Sequence, residues 1–87
     1  MKHKSHADVD RRLARIVGHL EGIRRMIDEE KPCVAILQQL KAVIAAMESA
    51  RRLVLKDHVH HCLSDAIEKK SAASAVEEIE AILSQIL

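Results

Sequence analysis

Residues 33–70 read CVAILQQLKAVIAAMESARRLVLKDHVHHCLSDAIEKK and contain neither proline nor glycine. A run of this length without a helix breaker predicts one long α-helix, α2, over about residues 33–68. Apolar residues recur along it every three or four positions. This spacing indicates a helix that packs on more than one neighbour, through Ile36, Leu40, Val43, Met47, Ala50 and Val54, with Leu37 and Ile44 beside them.

A helix is also predicted before α2. Apolar residues keep an alternating spacing of four and three from Val9 to Ile27, for almost three heptads. This regular spacing predicts α1 over about residues 8–29. The charged residues that follow, and then Pro32, end α1 and allow α2 to begin.

A third helix is predicted after α2. Ser74 and Glu77 have the spacing of a capping box, and the apolar residues beyond them predict α3 over about residues 74–86. We therefore predict an all-α fold with a three-helix protomer. It forms a single domain over residues 1–87, with a flexible N-terminal tail over residues 1–7.

The composition bears on assembly and location. The 87 residues include no Phe, Tyr or Trp, and a chain this short buries little apolar surface alone, so we expect it to oligomerise. We identify neither an apolar run of membrane-spanning length nor a signal peptide, and so expect a cytoplasmic protein without a membrane partner. Two cysteines in a reducing compartment indicate thiol chemistry or metal binding rather than a disulfide.

The net charge of +1 hides an uneven distribution. Residues 1–56 carry 12 Lys and Arg against 7 Asp and Glu, a net +5, whereas residues 57–87 carry 2 against 6, a net −4. This basic excess favours nucleic acid only weakly in a single chain, and a symmetric oligomer multiplies it.

Residues 57–62, DHVHHC, contain the side chains best suited to bind a metal. His58 and Cys62 lie four residues apart, so on a helix they share one face, one turn apart. An imidazole and a thiolate in this relation can bind a soft metal ion, and with Cys33 they form a three-ligand set that suits Cu(I). A fourth ligand would instead suit Zn(II) or Ni(II), and the candidates for it are His3, His6, His60 and His61.

Within one chain Cys33 and His58 are separated by about 37 Å of continuous helix. Antiparallel pairing of α2 with the α2 of a second chain removes this obstacle, because the start of one helix then lies beside the end of the other. The midpoint of the pairing falls near Met47, and such a two-fold interface is the commonest way to form a dimer. We therefore predict an intersubunit site that occurs twice in each dimer.

Three stretches resemble the copper-sensing repressor family, which includes CsoR and its nickel/cobalt- and formaldehyde-sensing relatives RcnR and FrmR. They are RLARIVGHLEGIRRMI (12–27), CVAILQQLKAV (33–43) and DHVHHC (57–62). The pattern of Cys followed by His-x3-Cys at this spacing is most typical of the copper-sensing branch. Similar proteins are antiparallel dimers that form a four-helix bundle and pair into disc-shaped homotetramers. The resemblance implies that the apo form binds operator DNA and that Cu(I) releases it, which derepresses copper-resistance genes.

The resemblance also implies roles for single residues. Cys33, His58 and Cys62 match the Cu(I) ligands, and Glu78 matches a glutamate that helps connect the ligand His58 to the rest of the fold. Pro32 stands where copper sensors often have Tyr. The basic residues expected to form the DNA-binding face are Arg11, Arg12, Arg15, Arg51, Arg52 and Lys56.

Several alternatives remain open from the sequence. A Ni(II)- or Zn(II)-sensing repressor of the same family would use a further histidine. A copper-buffering protein without DNA binding, or a plain helical interaction module, would also fit the composition. Lys2 stands where the formaldehyde-sensing branch has Pro, which disfavours that branch. The persulfide-sensing branch has no histidine at the position of His58, which disfavours it as well. We predict that the protein is not an enzyme, because the only nucleophile–base pairing it offers is Cys with His and no loops form a pocket.

Overall fold

The computed structural model describes residues 5–69 and 72–86. It contains three helices, α1 (His6–Asp28), α2 (Cys33–Lys69) and α3 (Ala72–Ile86). The predicted all-α, three-helix protomer is therefore confirmed. Both α1 and α3 begin two residues earlier than predicted, so Ser74 lies in the first turn of α3 rather than at its N-cap.

Helices α1 and α3 each pack antiparallel on α2. Polar contacts join the start of α1 to residue 57 of α2, and contacts further along α1 reach progressively earlier residues of α2. Contacts of α3 lie near the other end, where Cys62 and His58 of α2 meet Glu78. Helix α2 is thus the common element on which the other two helices are placed.

The flexible tail expected over residues 1–7 stays a prediction, and residues 1–4 lie outside the described residues. The described part of this stretch, residues 5–7, includes the first residues of α1. Ser5 is buried and α1 begins at His6. The physical reason is a contact that the local sequence does not reveal: Asp57 accepts hydrogen bonds from the hydroxyl and the backbone N–H of Ser5, at 2.8 and 3.4 Å.

The core of the protomer is small. Ile16 and Ile23 of α1 pack against Val43 of α2, and Ile36 and Ala46 cover this cluster in part. No large side chain of the described residues is fully buried. This agrees with the expectation that one chain alone buries little apolar surface.

The apolar residues of α2 divide between two faces. Val43 and Ala50 are buried, whereas Leu37, Ile44 and Met47 are 63%, 62% and 52% exposed. At helical spacing the exposed residues form a single stripe, which we call the apolar stripe and which consists of Leu37, Leu40, Ile44, Met47 and Val54. The protomer therefore presents a large unpartnered apolar face on the side of α2 that does not pack on α1.

The same apolar face gives α2 the composition of a membrane-spanning helix. By length and composition alone, α2 is long and apolar enough to cross a membrane, contrary to the sequence-based expectation. Between Cys33 and Ala50 its only charged residues are Lys41 and Glu48. A soluble helix that packs on neighbours with more than one face has the same composition.

The connection between α1 and α2 is tight. The N–H of Lys31 donates to the carbonyl of Met26 at 2.9 Å, and the N–H of Glu30 donates to the carbonyl of Ile27 at 3.1 Å. These two bonds define a Schellman motif at the end of α1. Glu30 takes the left-handed conformation that this motif requires, with a φ of 55°. The chain then turns at once into α2, which begins at Cys33.

Candidate metal centre

His58 and Cys62 of α2 are joined to Glu78 of α3. The His58 Nε2–H donates to Glu78 Oε1 at 3.1 Å, and the Cys62 thiol donates to Glu78 Oε2, also at 3.1 Å. Cys62 is buried and lies 3.8 Å from the Ala75 carbonyl, whereas His58 and Glu78 are partly open to solvent. One carboxylate thus holds the imidazole and the thiol on the same side of α2.

Glu78 and Cys62 shift each other's pKa. The hydrogen bond between them, together with burial and the nearby negative charge, raises the pKa of the Cys62 thiol above its ordinary value. The same hydrogen bond, reinforced by His58, lowers the pKa of Glu78 against the opposing effect of burial. At neutral pH the cluster therefore contains a protonated thiol beside an ionised carboxylate.

Cys33 lies far from this cluster in the same chain. It is exposed at the first position of α2, while Cys62 is 29 residues further along the same helix, about 44 Å away at 1.5 Å per residue. Within residues 5–69 and 72–86, the cluster around Glu78 contains one thiol and one imidazole, and the second thiol, Cys33, lies at the far end of α2. A site with two thiolates and one imidazole thus requires Cys33 from another chain.

Three further histidines were candidates for a fourth ligand and lie in the described part of the chain. His61 approaches the Asp57 carboxylate, with 3.5 Å between Nε2 and Oδ1. His60 is exposed, its ring 6.0 Å from that of His61. His6 is exposed at the start of α1. The remaining candidate, His3, lies outside the described residues.

The six basic residues proposed for DNA contact fall on different surfaces. Arg12 and Arg15 line a cleft between α1 and α2 together with His19 and Ser49, and the Arg12 guanidinium donates to the Ser49 hydroxyl at 3.2 Å. We call this the basic cleft. Lys56 lines the adjoining groove beside Ser5 and Asp57.

Arg51 lies elsewhere, in the groove between α2 and α3 that His58 also lines. It pairs with Glu48 at 3.7 Å, and Arg11 pairs with Asp8 at 3.7 Å, both on exposed surfaces. Arg52 is exposed on α2. The structure thus separates Arg51 from Arg12, Arg15 and Lys56 and places it in the groove of the candidate ligand His58.

Some of the contacts around these sites could not be found from the sequence. Asp57 binds Ser5 across 52 residues of chain, and the His19 Nε2–H donates to Gln39 Oε1 at 2.7 Å. Both depend on the register between α1 and α2. Spacing along one helix carries no signal for such a register.

A three-helix chain with a Cys–His–Glu cluster at one end of its long helix and a basic cleft between two helices is suited to a metal-binding regulatory protein. Comparison with known proteins agrees with this class. The sequence profile of the metal-sensitive transcriptional repressor family matches residues 5–85. The chain belongs to this family. Membership confirms the prediction of a metal-responsive transcriptional repressor rather than an enzyme.

Three individual proteins show how far the similarity extends. The copper-sensing transcriptional repressor CsoR of Bacillus subtilis (strain 168) is 40% identical over 82 residues, which cover 91% of this chain and 81% of that protein. The nickel-responsive transcriptional regulator InrS has the same fold with a TM-score of 0.90 at 31% identity, over 100% of this chain and 98% of that one. Cu(I)-bound CsoR from Geobacillus thermodenitrificans NG80-2 matches with a TM-score of 0.82 at 27% identity, over 99% and 90% of the two chains.

Proposed function

We propose that this protein is a cytoplasmic Cu(I)-responsive repressor whose metal site is shared between two subunits. The observation that carries the proposal is the position of the candidate ligands on α2. At helical spacing, Cys33 continues the apolar stripe at one end and His58 continues it at the other, with Cys62 one turn beyond. The stripe that needs a partner is thus the one that joins the separated ligands.

Antiparallel pairing along the apolar stripe explains both observations at once. It covers Leu37, Ile44 and Met47, which one chain leaves more than half exposed. It also places Cys33 of one protomer beside His58 and Cys62 of its partner. Two such sites in each dimer, and a dimer of dimers as the complete homotetramer, are the assembly that the resemblance described above implies.

The donor set favours Cu(I). Two thiolates and one imidazole make a set of only three ligands, most of them soft. Such a set suits Cu(I) better than the harder divalent ions. Because His58 uses Nε2 to bond Glu78, we assign metal ligation to its Nδ1 atom. The similarity to copper-sensing repressors supports this choice, and the likeness to the nickel-responsive InrS makes Ni(II) the second candidate.

Metal binding would alter the hydrogen bonds between α2 and α3. A thiol that ligates a metal loses its proton, so Cys62 can no longer donate to Glu78. Glu78 then keeps only His58 of these two donors, and its carboxylate faces a thiolate instead of a thiol. We infer that α3 shifts on α2 in response, and that the shifted assembly binds DNA more weakly.

The basic cleft is the surface that we assign to operator DNA. Arg12 and Arg15 lie there with Ser49, a set that can donate hydrogen bonds to phosphate oxygens. Lys56 in the adjoining groove extends the surface along α2. A tetramer repeats this surface four times, which makes the modest charge of one chain sufficient for salt-dependent binding.

The test is a fluorescence-anisotropy titration of DNA from upstream of the gene, under anaerobic conditions and with Cu(I) buffered by a chelator. We expect Cu(I) to weaken DNA affinity by about 5- to 150-fold, with DNA weakening Cu(I) binding by the same factor. Cys33→Ala, His58→Ala and Cys62→Ala should bind DNA and lose this response. Ser64→Ala, which changes an exposed position of α2 outside both proposed sites, is the matched control and should keep it.

Other results would identify the alternatives. Tight Cu(I) binding without salt-dependent DNA affinity would show a copper-buffering protein. A response to Ni(II) or Zn(II) that exceeds the response to Cu(I) would place the chain in a different branch of the family. A Cu(I) response that survives Cys33→Ala would contradict the shared site.

A further inference from the structure

Asp57 joins the start of α1 to α2 directly beside the candidate metal ligand His58. Its Oδ2 atom accepts hydrogen bonds from the hydroxyl and the backbone N–H of Ser5, at 2.8 and 3.4 Å. Its Oδ1 atom lies 3.5 Å from His61 Nε2, and the Asp57 side chain is 13% exposed. Ser5 itself is only 9% exposed, although it lies close to the end of the chain.

The arrangement is a helix cap supplied by another helix. Ser5 occupies the N-cap position of α1, but its hydroxyl makes no capping bond within α1. It donates to Asp57 instead, so a carboxylate of α2 lies against the positive end of α1. A largely buried carboxylate that loses such a donor is destabilised, so the contact favours one docked position of α1.

The docked position determines where the first turns of α1 lie. Arg12, two turns beyond Ser5, crosses to Ser49 of α2 and also pairs with Asp8 at 3.5 Å. If the start of α1 moved away from Asp57, Arg12 would lose its alignment with the basic cleft. The Ser5–Asp57 contact therefore connects two places: α2 at the residue that precedes a metal ligand, and the start of α1, which helps to form the surface assigned to DNA.

We propose that Asp57 is a positioning residue for DNA binding, which holds the start of α1 on α2 through Ser5 and so aligns the basic cleft. This proposal rests on the proposed function. Nothing in it requires Asp57 or Ser5 to touch DNA or metal.

Ser5→Ala tests the proposal because it removes the donor without changing any residue of α2 near the ligands. We expect metal-free protein to bind operator DNA about tenfold more weakly, the effect of losing one hydrogen bond to a charged acceptor. Cu(I) affinity without DNA should stay within about twofold of wild type, since the ligands are untouched. Ser5→Thr keeps the hydroxyl and should restore DNA binding. Ser84→Ala removes a hydroxyl that bonds the Ala81 carbonyl within α3, and should have no effect on either affinity.

Hydrogen exchange supplies a readout that does not involve DNA. The Val9 N–H donates to the Ser5 carbonyl at 2.8 Å, so this amide and those of the next turn should exchange faster in Ser5→Ala. Unchanged exchange would overturn the docking. Wild-type DNA affinity in Ser5→Ala, or an equal loss of DNA and Cu(I) affinity, would overturn the positioning role. Failure of the wild-type protein to bind operator DNA would contradict the proposed function, and this role with it. Normal DNA binding by both wild type and Ser5→Ala would contradict the positioning role alone.

Discussion

At the scale of single residues, Glu78 connects the two candidate ligands of α2, because both His58 and Cys62 donate to it. Its hydrogen bond with Cys62, together with burial and its negative charge, holds the pKa of the Cys62 thiol above the ordinary value. A metal must displace that proton, so raising the pH toward the thiol pKa should strengthen metal binding. Through the contact with Glu78, protons compete with the metal for Cys62. The same contact positions α3 on α2.

Replacing Glu78 by Gln should lower the pKa of Cys62 toward its ordinary value, because the substitution removes the negative charge and weakens the acceptor. The measurement is thiolate absorbance against pH in a Cys33→Ser background, which leaves Cys62 as the only thiol. Glu77→Gln removes the same charge at the neighbouring exposed position and serves as the control. An identical midpoint in Glu78→Gln and its parent would show that Glu78 does not act on the thiol.

The same shift fixes the sign of a pH effect on stability. A thiol whose pKa is raised by folding stabilises the folded state below the ordinary thiol pKa. That contribution is lost as the pH rises through the raised value, because the unfolded chain ionises first. Glu78, whose pKa is lowered, contributes above the ordinary carboxyl pKa and loses its contribution in acid.

At the scale of helices, the turn between α1 and α2 contains one local conflict between residue type and conformation. Glu30 has a φ of 55° at the position of the Schellman motif that glycine usually occupies. Glu30→Gly should raise the free energy of unfolding by up to about 1 kcal/mol, since glycine takes this conformation without steric cost. Urea denaturation followed by circular dichroism measures the change.

Glu29→Gly is the matched control for that prediction. Glu29 has a φ of −83°, which any residue adopts, so glycine there gains nothing in the folded state and adds freedom to the unfolded chain. We expect this control to be neutral or destabilising. Equal effects of the two substitutions would contradict the strain assigned to Glu30.

The helices also show which features a sequence can reveal. The length of α2 could be predicted because no proline or glycine interrupts it, and His58 and Cys62 could be paired by their spacing. The contact of Glu78 with both residues depends on how α3 lies on α2, and only the family resemblance indicated a role for Glu78. The contact of Ser5 with Asp57 had no sequence signal at all, because spacing within one helix says nothing about register between two.

At the scale of the whole molecule, the protomer separates its two proposed activities. The basic cleft lies between α1 and α2, whereas the apolar stripe runs along the side of α2 that does not pack on α1. The apolar stripe leads from Cys33 to His58, so dimer formation and completion of the metal site become the same event. This arrangement predicts that metal binding can be restored by mixing chains that are each defective.

Cys33→Ser and Cys62→Ser chains should each lose tight Cu(I) binding, since every site in their homodimers lacks one thiolate. In a mixed antiparallel dimer, one site receives both substituted positions, and the other combines an intact Cys33 with an intact His58 and Cys62. Mixing the two variants under conditions of subunit exchange should therefore restore Cu(I) binding, to at most half of the wild-type capacity. Competition with a chelator that strips metal from two-ligand sites measures the recovery.

A mixture of Cys62→Ser with His58→Ala is the decisive control, because both substitutions affect the same half of the site. Each site of that mixed dimer receives an intact Cys33 from one chain but a defective pair from the other, so no recovery is expected. Recovery in this control would mean that His58 and Cys62 can come from different chains, which the one-turn spacing on α2 does not allow. No recovery in the Cys33→Ser and Cys62→Ser mixture, despite verified subunit exchange, would rule out the antiparallel pairing and require Cys33 to have some other role.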